Sequence, residues 1–530
     1  MSPLVIRVCL LLSAFFCAVC HLRLASVGAP IYVDDAYYYI IPAQNWWDLG
    51  FFSFDGQEAT NGFHPLWAWL NVVCVYPFQK AGEVGALVGI SAVQSILYLG
   101  LVFAAGKILF SEDSQETYVW KLAWAGPLMW LLYPQVTDSY LINGMESTLA
   151  LVLFCFTCWA LTKENWKWLS VALPLLMLSR LDTLVFVSTP ILIFVLLRKD
   201  LVVRKKVLLA IPLITCFALY SGLNWAQFSE IKPISGILKS SFPLPTLHLH
   251  FLLDEWLKYS LKGAHLSLLL TPNLLTYTGL IICSTGLLFR KRSPLIWLFW
   301  GISCLFLINI LIFQKWNKGV GSWYFVLPFG SILFLLAQQL GSVVGSVWIK
   351  RAVLGMLLLS LPTHVYRAVK AKVRGDKSML NLVQAIKTTT GEDDVIAGTD
   401  VGYIAYFSGR NVVNLDGLIN NYRYQEFLKE GRLNDYLQEK KVSYLVSVFL
   451  DKAQPFRTQG EEKMYAHRID PDGVSGQYDE HEFKVYSYRY ESFSDPVILR
   501  PQAERFRGEQ RRFGDAQGVR LLFELNQGRE

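Results

Sequence analysis

The sequence predicts a polytopic α-helical membrane protein with a C-terminal α/β domain outside the membrane. Hydrophobic residues make up 53% of the 530 residues and 17 residues are Trp, while the mean hydropathy is +0.34. That composition is too apolar for an ordinary soluble enzyme. Apolar runs long enough to cross a hydrocarbon core of about 30 Å recur along the chain and then stop near Val369.

The apolar runs predict about eleven transmembrane helices within residues 1–369. They fall at residues 4–20, 87–105, 119–134, 145–161, 168–179, 183–197, 207–223, 266–289, 295–313, 323–348 and 352–365. The first run has a second interpretation, since Arg7, an apolar core and the small residues around Ala25 resemble a cleavable signal peptide. His21 and Arg23 weaken that interpretation, and both interpretations leave the following loop on the same side of the membrane.

Basic clusters predict the orientation, because Lys and Arg resist translocation across a membrane. Three clusters fall on one side by the span count: Arg198–Lys206, Arg290–Arg292, and Lys350 with Arg351. We therefore expect this side to be cytoplasmic. The loop at about 26–85 and everything after Val369 are then extracytoplasmic, although Arg367, Lys370, Lys372 and Arg374 argue mildly against this.

Cysteine usage and charge narrow the class and the location. All nine Cys residues lie at or before Cys304, so no disulfide framework is implied in the C-terminal region. The net charge of +7 is explained by cytoplasmic flanks and a basic tail, without a nucleic-acid partner. No Asn is followed two places later by Ser or Thr, which favours a bacterial envelope. We therefore expect the protein in the bacterial inner (cytoplasmic) membrane.

The first loop predicts two helices that lie on the membrane and bracket a polar turn. Tyr37, Ile40, Ile41 and Trp47 follow roughly helical spacing, and aromatic residues are crowded there as they are at lipid headgroups. The stretch "FDGQEATNG" is turn chemistry, and "FHPLWAWLNVVCVYPF" is a second apolar segment that returns to the interface.

Two adjacent acids, Asp34 and Asp35, begin the first of these helices. By spacing alone, capping and a favourable interaction with the helix dipole explain them. Neighbouring residues on a helix point about 100° apart, so the two acids are not expected to act as one glycosidase-like pair.

The first loop, with "DDAYYY" and "TNGFHPLW", resembles the first extracytoplasmic loop of the GT-C superfamily of glycosyltransferases, which use polyprenyl-phosphate sugars. The resemblance continues in "NGMESTL", "LSRLD", "PISGILKS" and "DVGYIAYFSGRNVVNLDGLIN", and so threads most of the chain. These pieces are similar to a bacterial branch related to arabinofuranosyl- and mannosyltransferase-like envelope enzymes. The sequence departs from relatives at "GSWYFVLP", where Trp323 and Tyr324 carry no charge, which puts a phosphate-binding role there in doubt.

The resemblance implies a GT-C glycosyltransferase, transferring a hexose or a pentose. It implies a polyprenyl-phosphate-linked sugar donor and a cell-envelope glycan, lipid or protein acceptor on the extracytoplasmic face. It also implies that an acid in the first loop is the general base, and we assign Asp35 first and Asp34 second. Inverting transfer needs such a carboxylate to take the acceptor proton, and positive charge near the departing phosphate.

Five further residues are candidates for substrate binding: His64, Glu146, Arg180, Asp182 and Lys239. Each has a structural alternative. Lys239 fits a snorkelling interfacial lysine as well as a phosphate ligand. Arg180 and Asp182 fit an ion pair within a hairpin, Glu146 fits a helix cap, and His64 fits a hydrogen-bonded surface group.

A divalent cation, Mg²⁺ or Mn²⁺, is an alternative explanation for the acids, because carboxylates and phosphate oxygens suit these ions. Asp35 and Glu146 are then the expected ligands. No sequence motif requires a cofactor.

The region at 370–495 alternates strand-like and helix-like segments: "DVIAGT", "VGYIAYFSG", "NVVNLDG", "YQEFLKEGRLNDYLQEKK" and "VSYLVSVFL". This predicts a small α/β domain without a GxGxxG or phosphate loop, for handling the acceptor or covering the membrane cavity. Residues 496–530 are charged, and we expect a partly disordered tail.

A different class of function is a transporter, flippase or polymer-handling protein of envelope polysaccharide biogenesis, which would also use many spans and intramembrane charge. Transporters place their sites near the midplane, often in paired repeats, whereas the informative residues here gather at one face. An inactive scaffold that has kept the fold and lost the chemistry is a third interpretation.

Overall fold

A computed structural model describes most of the membrane region and parts of the C-terminal region. The described residues are 3–26, 32–109, 141–249, 252–253, 273–288, 294–314, 322–340, 383–384, 386–388, 390–398, 400–430, 433–449, 465–467, 483–485, 497–499, 511–515 and 518–524. We call the described residues from 383 onwards the C-terminal unit. The spans predicted at 119–134 and 352–365 lie outside the described residues.

Apolar helices dominate the described residues before 341. They are α1 (Pro3–Ser26), α2 (Asp34–Leu49), α3 (Pro65–Val75), α4 (Glu83–Leu109), α5 (Ser147–Thr162), α6 (Trp166–Ser179), α7 (Thr189–Leu197), α8 (Val203–Phe228), α9 (Ile234–Lys239), α10 (Leu274–Leu288), α11 (Pro294–Ile308) and α12 (Val326–Leu340). A π-helical turn, Leu184–Ser188, leads into α7, another, Asn309–Phe313, extends α11, and a 3₁₀ turn, Ser322–Phe325, leads into α12.

Three of the described helical segments are long and apolar enough to cross a membrane: Val84–Ala104, Val203–Phe228 and Pro294–Phe313. Seven shorter apolar helices accompany them. The longest of the three, α8, exposes large apolar side chains along its length, including Ile211, Leu219 and Leu223, as a helix that faces lipid does. The described residues therefore form a helical membrane fold.

The membrane helices pack around two buried clusters. In the larger one, α5 packs on α6, α6 on α8 and α11 on α12, with Phe154, Tyr277 and Phe299 fully buried between them. In the second, α2 packs on α3 around Trp67 and Tyr37. The second cluster is shared with the C-terminal unit, since it includes Tyr403, Tyr406 and Phe407 as well. This shared core places the start of α2 against the C-terminal unit.

The C-terminal unit shows the predicted alternation of strands and helices from 395 to 449. The order along the chain is β1 (Val395–Gly398), α13 (Gly402–Ser408), β2 (Asn411–Asn414), α14 (Tyr422–Lys429), α15 (Leu433–Glu439) and β3 (Val442–Phe449). Strand β1 pairs in parallel with both β2 and β3. Because the carboxyl ends of parallel strands meet at one edge, the loops that follow β1 and β2 lie together.

Short strands follow farther along the chain: β4 (Tyr465–His467), β5 (Phe483–Val485), β6 (Val497–Leu499), β7 (Arg511–Asp515) and β8 (Gly518–Glu524). The last two form a hairpin, and β8 pairs antiparallel with β3 to give a sheet of order β2-β1-β3-β8-β7. Strands β7 and β8 lie within the charged tail at 496–530, and this part of the tail is paired in a sheet. The expectation that the tail is partly disordered stays a prediction.

Candidate active site

A cavity of about 370 Å³ lies where α2, the start of α5, the end of α6, α9 and the turn before α12 meet. Most of the residues predicted as a site line this cavity: Asp35, His64, Glu146, Arg180, Asp182 and Lys239. Asp34 is not among its lining residues. The structure thus gathers six polar residues from five separate stretches of sequence around one space.

Asp35 and Lys239 form an ion pair inside the cavity. The Lys239 Nζ atom donates to Asp35 Oδ2 over 3.2 Å, and both side chains are 13% exposed. Burial raises the pKa of Asp35 above its ordinary value; Lys239 opposes this rise and Asp400 adds to it. A carboxylate with a raised pKa is a stronger proton acceptor than a free one, which suits a general base.

Helix α9 brings Lys239 to this position. Its N-terminal N–H, on Ile234, donates to Asn61 Oδ1 over 3.0 Å, so α9 is tied to the polar turn of the first loop. Burial lowers the pKa of Lys239, but the carboxyl groups of Asp35 and Asp416 and the Tyr324 hydroxyl outweigh that effect, and the pKa ends above its ordinary value. Lys239 therefore remains a cation in the cavity.

Arg180 lies where α6 ends, and its backbone is extended there. Its Nε and Nη2 atoms donate to the two carboxylate oxygens of Asp182 over 3.1 and 2.9 Å, a bidentate pair. Its Nη1 atom donates to the Trp323 carbonyl oxygen over 3.2 Å, and its guanidinium carbon lies 4.9 Å from the centre of the Tyr324 ring. Positive charge thus reaches the uncharged "GSWYFVLP" segment from a different helix.

Glu146 joins Tyr39, His64 and Arg180. The Tyr39 hydroxyl donates to Glu146 Oε2 over 3.0 Å, and Glu146 Oε1 lies 3.6 Å from His64 Nε2 and 4.0 Å from Arg180 Nη1. The carboxylate makes no capping hydrogen bond to α5, so the expected alternative of a helix cap does not describe it. Glu146 instead fixes the Arg180 guanidinium and the His64 ring beside its carboxylate.

His64 is held as a neutral imidazole with its proton on Nε2. The Leu181 N–H donates to His64 Nδ1 over 3.2 Å, so Nδ1 is an acceptor and Nε2 carries the hydrogen that faces Glu146. Burial lowers the pKa of His64, which favours the same neutral state. A hydrogen-bond donor in the cavity wall is therefore a better description of His64 than a base.

Asp34 caps a helix, but not its own. Its Oδ2 and Oδ1 atoms accept from the N–H groups of Gly402 and Tyr403 over 3.0 and 2.8 Å, at the start of α13. No side chain caps α2 itself. The two adjacent acids therefore point to different places, Asp35 to the cavity and Asp34 to the C-terminal unit.

The residues that line the cavity do not compose a binding set for a divalent cation. Asp35 already faces Lys239, and Glu146 faces Arg180 and His64, so each expected ligand is paired with a cation or a donor. In the described part of the chain, no group of three His, Cys, Asp or Glu side chains converges as metal ligands do. We therefore assign no metal ion to this cavity.

Sequence reasoning gave no role to Tyr38, Tyr39 and Leu418 and put a role for Trp323 and Tyr324 in doubt, but all five line the cavity. Tyr38 and Tyr39 lie in "DDAYYY" and Leu418 lies in "NLDGLIN", two stretches that carry the resemblance. The spacing of Tyr38 and Tyr39 was the available signal, since they follow Asp35 by three and four positions on α2.

Comparison with solved structures agrees with this architecture. The chain is similar to the crystal structure of ArnT from Cupriavidus metallidurans bound to undecaprenyl phosphate, with a TM-score of 0.50 and 11% identity, covering 96% of this chain and 97% of that one. It is also similar to arabinofuranosyltransferase AftD from Mycobacteria, with a TM-score of 0.41 and 14% identity over 84% of this chain and 35% of that one. A third similar structure is the archaeal oligosaccharyltransferase AglB from Archaeoglobus fulgidus in complex with an inhibitory peptide and a dolichol-phosphate. Its TM-score is 0.31 and its identity is 13%, over 83% of this chain and 69% of that one.

At 11% identity the likeness to ArnT shows the fold alone: the chain has a GT-C-like membrane fold, which is the fold that the resemblance implies. Residues 367–494 match the model of a domain of unknown function, DUF8728. No curated protein sequence matches the chain.

Proposed function

We propose that the protein is an integral-membrane glycosyltransferase that moves a sugar from a polyprenyl-phosphate donor to a cell-envelope glycan, lipid or protein. The GT-C-like fold supports the class of enzyme. The observation that carries the proposal is the contact between Asp35 and Lys239 within one cavity, because transfer needs a base and a cation side by side.

Asp35 is the general base of this proposal. As the acceptor oxygen attacks the anomeric carbon, the Asp35 carboxylate takes the hydroxyl proton, and the bond between that carbon and the phosphate oxygen breaks with its electron pair on the phosphate. Burial keeps the carboxylate weakly solvated, so it accepts a proton more readily than an exposed acid would.

Lys239 and Arg180 supply positive charge for the departing phosphate. They enter from α9 and from the end of α6, and Tyr324 lies between them, with its ring centre 6.0 Å from Lys239 Nζ and 4.9 Å from the Arg180 guanidinium carbon. Preorganised cations in a water-poor cavity stabilise developing negative charge more strongly than they would in water.

The remaining wall suits a lipid-linked sugar. Apolar side chains from α6, the π-helical turn before α7, α8 and the turn after α9 line the cavity beside the charged residues, among them Met177, Phe186, Phe217 and Phe242. An apolar wall next to paired charges fits a ligand with a hydrocarbon chain at one end and a charged phosphate at the other. One similar protein, ArnT, is bound to undecaprenyl phosphate in its crystal structure, and this supports the same class of donor here.

We place the reaction on the extracytoplasmic face of the bacterial inner membrane, from the distribution of basic clusters in the sequence. On that face no nucleotide sugar is needed, because the donor is already lipid-linked.

Six of the seven predicted site residues act in the cavity on this proposal, and the seventh, Asp34, acts by holding the C-terminal unit.

The test compares envelope glycans by mass spectrometry from cells that lack the protein and cells that carry the wild type, Asp35→Asn, Asp34→Asn or Asp48→Asn. Asp48 is an exposed acid on the same helix and is the matched control. We expect Asp35→Asn to accumulate normally and to lose the same sugar as the deletion, and Asp48→Asn to keep it. If Asp35→Asn retains the glycan, the base assignment is wrong.

A further inference from the structure

A loop of the C-terminal unit forms part of the cavity wall. The segment 414–418 begins with the last residue of β2, and Leu418 lies among the residues that line the cavity. The segment lies within the residues that match the domain of unknown function. That domain therefore contributes directly to the space in which we place the reaction.

One carboxylate ties this loop to the first loop. The Tyr38 hydroxyl donates to Asp416 Oδ2 over 2.8 Å, and the Leu418 N–H donates to Asp416 Oδ1 over 2.9 Å. Tyr38 and Leu418 are both wall residues, and they come from opposite ends of the chain. Asp416 is buried, so these bonds are made away from bulk water, where a lost partner is costly.

Tyr38 shares a face of α2 with Asp35. The two residues are three positions apart, and both line the cavity. The Tyr38 hydroxyl also accepts from Asn414 Nδ2 over 2.9 Å, and its ring packs edge-on against Phe54 with 5.5 Å between ring centres. With its ring packed and its hydroxyl both donating and accepting, Tyr38 has one orientation.

The seat of the C-terminal unit on the first loop is closely fitted. A Cβ atom placed on Gly62 would lie 2.0 Å from the Leu418 carbonyl oxygen, and one on Gly402 would lie 2.4 Å from the Asp34 carbonyl oxygen. The Thr60 hydroxyl donates to the Asn420 carbonyl oxygen over 2.8 Å. The contact is therefore a specific docking surface.

Building on the proposed function, we infer that Asp416 is a positioning residue for the transfer reaction. By holding Tyr38 and Leu418, it fixes the face of α2 that presents Asp35 and makes the C-terminal unit a working part of the active site.

The charge of Asp416 also reaches the catalytic pair. Asp416 is one of the negative groups that raise the pKa of Lys239, the partner of Asp35. Burial raises the pKa of Asp416 itself to about 7, with Asp400 adding to the rise. The titratable groups that face it are Tyr38 from α2, Asp400 before α13, Lys239 from α9 and Tyr424 from α14. The ionised Asp416 carboxylate accepts the hydrogen bond from Tyr38, whereas the protonated carboxylic acid is a weaker acceptor of that bond.

The experiment measures product formation in native membranes from pH 5.5 to 8.5, with the sugar identified by the glycan comparison and rates normalised to protein level. The variants are Asp416→Asn, Tyr38→Phe, their double variant, and Asp393→Asn, an exposed acid of the same unit, as matched control. We expect the rate of Asp416→Asn to fall between about 10-fold and 100-fold, and its acid limb near pH 7 to disappear. Tyr38→Phe should lose a similar amount, and the double variant no more than either alone.

A uniform fall at every pH, with the wild-type pH profile preserved, would overturn the inference, because it would mark Asp416 as a structural residue only. A normal rate in both single variants would overturn it as well. If Asp416→Asn fails to accumulate, Tyr38→Phe alone carries the test, since it removes one hydroxyl and keeps the ring. Asp35→Asn separates the two proposals: if it keeps the product, the base assignment in the proposed function fails, and if it loses the product while Asp416→Asn and Tyr38→Phe act normally, only this inference fails.

Discussion

The Lys239 ammonium lies 3.2 Å from the Asp35 carboxylate, although the two residues are 204 positions apart in the chain. The pair has a consequence for binding. A phosphate that enters the cavity competes with Asp35 for the same cation, and an Asp35 freed from Lys239 is a stronger base because its opposing charge is removed. On the proposed function, donor binding and base activation are therefore linked through one lysine.

Replacing Lys239 tests that link. We expect Lys239→Met to abolish transfer, because the cavity loses the cation nearest the base and keeps a buried carboxylate without its partner. Lys239→Arg should retain partial activity, since it keeps the charge but has a different shape. The measurement is the amount of the sugar product in the envelope, compared at equal protein levels with Lys205→Met, an exposed lysine on α8. Equal product from Lys239→Met and the wild type would contradict the link.

Arg180 should matter for stability as well as for activity. Its side chain is 2% exposed and pairs with Asp182 and Glu146, so Arg180→Gln leaves the buried Glu146 and the half-buried Asp182 without their cation. Breaking such a pair costs about 3–5 kcal/mol. We expect the melting temperature of the purified protein in detergent to fall by several degrees and transfer to be lost.

Arg198→Gln is the matched control for Arg180. Arg198 also pairs with two acids, Glu164 and Asp200, but its side chain is 26% exposed and its partners are more than half exposed. Exposed pairs are worth about 0–1 kcal/mol. A fall in melting temperature as large for Arg198→Gln as for Arg180→Gln would show that burial does not decide the effect.

Much of the site could be predicted from the sequence because its residues lie in motifs. Asp35, Glu146, Arg180 and Lys239 each stand in a short stretch that carries the GT-C resemblance, and the structure gathers them around one cavity. Chemistry that depends on residue type and local spacing survives in a linear sequence. The fold followed in the same way, from apolar runs and from the alternation in the C-terminal unit.

The contacts between distant segments could not be predicted. Asp34 reads as the cap of its own helix, yet the N–H groups that it accepts from lie 368 and 369 positions away. Asp416 received no role from the sequence, and its partner Tyr38 is 378 positions away. Lys440 received none either, and it is buried against Asp55 and Glu58 of the first loop. Only the packed chain determines which of these groups meet.

The docking surface can be tested with a single methyl group. In Gly62→Ala the new Cβ atom would lie 2.0 Å from the Leu418 carbonyl oxygen, and backbone on both sides has to move to relieve the overlap. We expect lower thermal stability and faster proteolysis of the C-terminal unit. The control is Gly222→Ala on α8, where nothing lies within 4 Å of the added atom. That variant should be as stable as the wild type or more stable, since Ala favours a helix over Gly. Unchanged proteolysis of Gly62→Ala would mean that the two parts do not sit as described.

Asp416 predicts how stability depends on pH. Burial raises its pKa in the folded protein to about 7, whereas an unfolded chain keeps a value of about 4. Between these values the folded state holds a proton that the unfolded state has released, so the free energy of unfolding falls as the pH rises from about 4 to 7 and levels off above that. We expect the melting temperature of the wild type to fall between pH 5 and pH 7, and that of Asp416→Asn to fall less, with Asp393→Asn parallel to the wild type. Parallel curves for all three proteins would contradict the assignment.

The pH dependence of stability is opposite in direction to that expected for activity, because transfer on our proposal needs the ionised carboxylate that burial disfavours. Asp416 would then be retained at a cost in stability for the position that it gives to Tyr38.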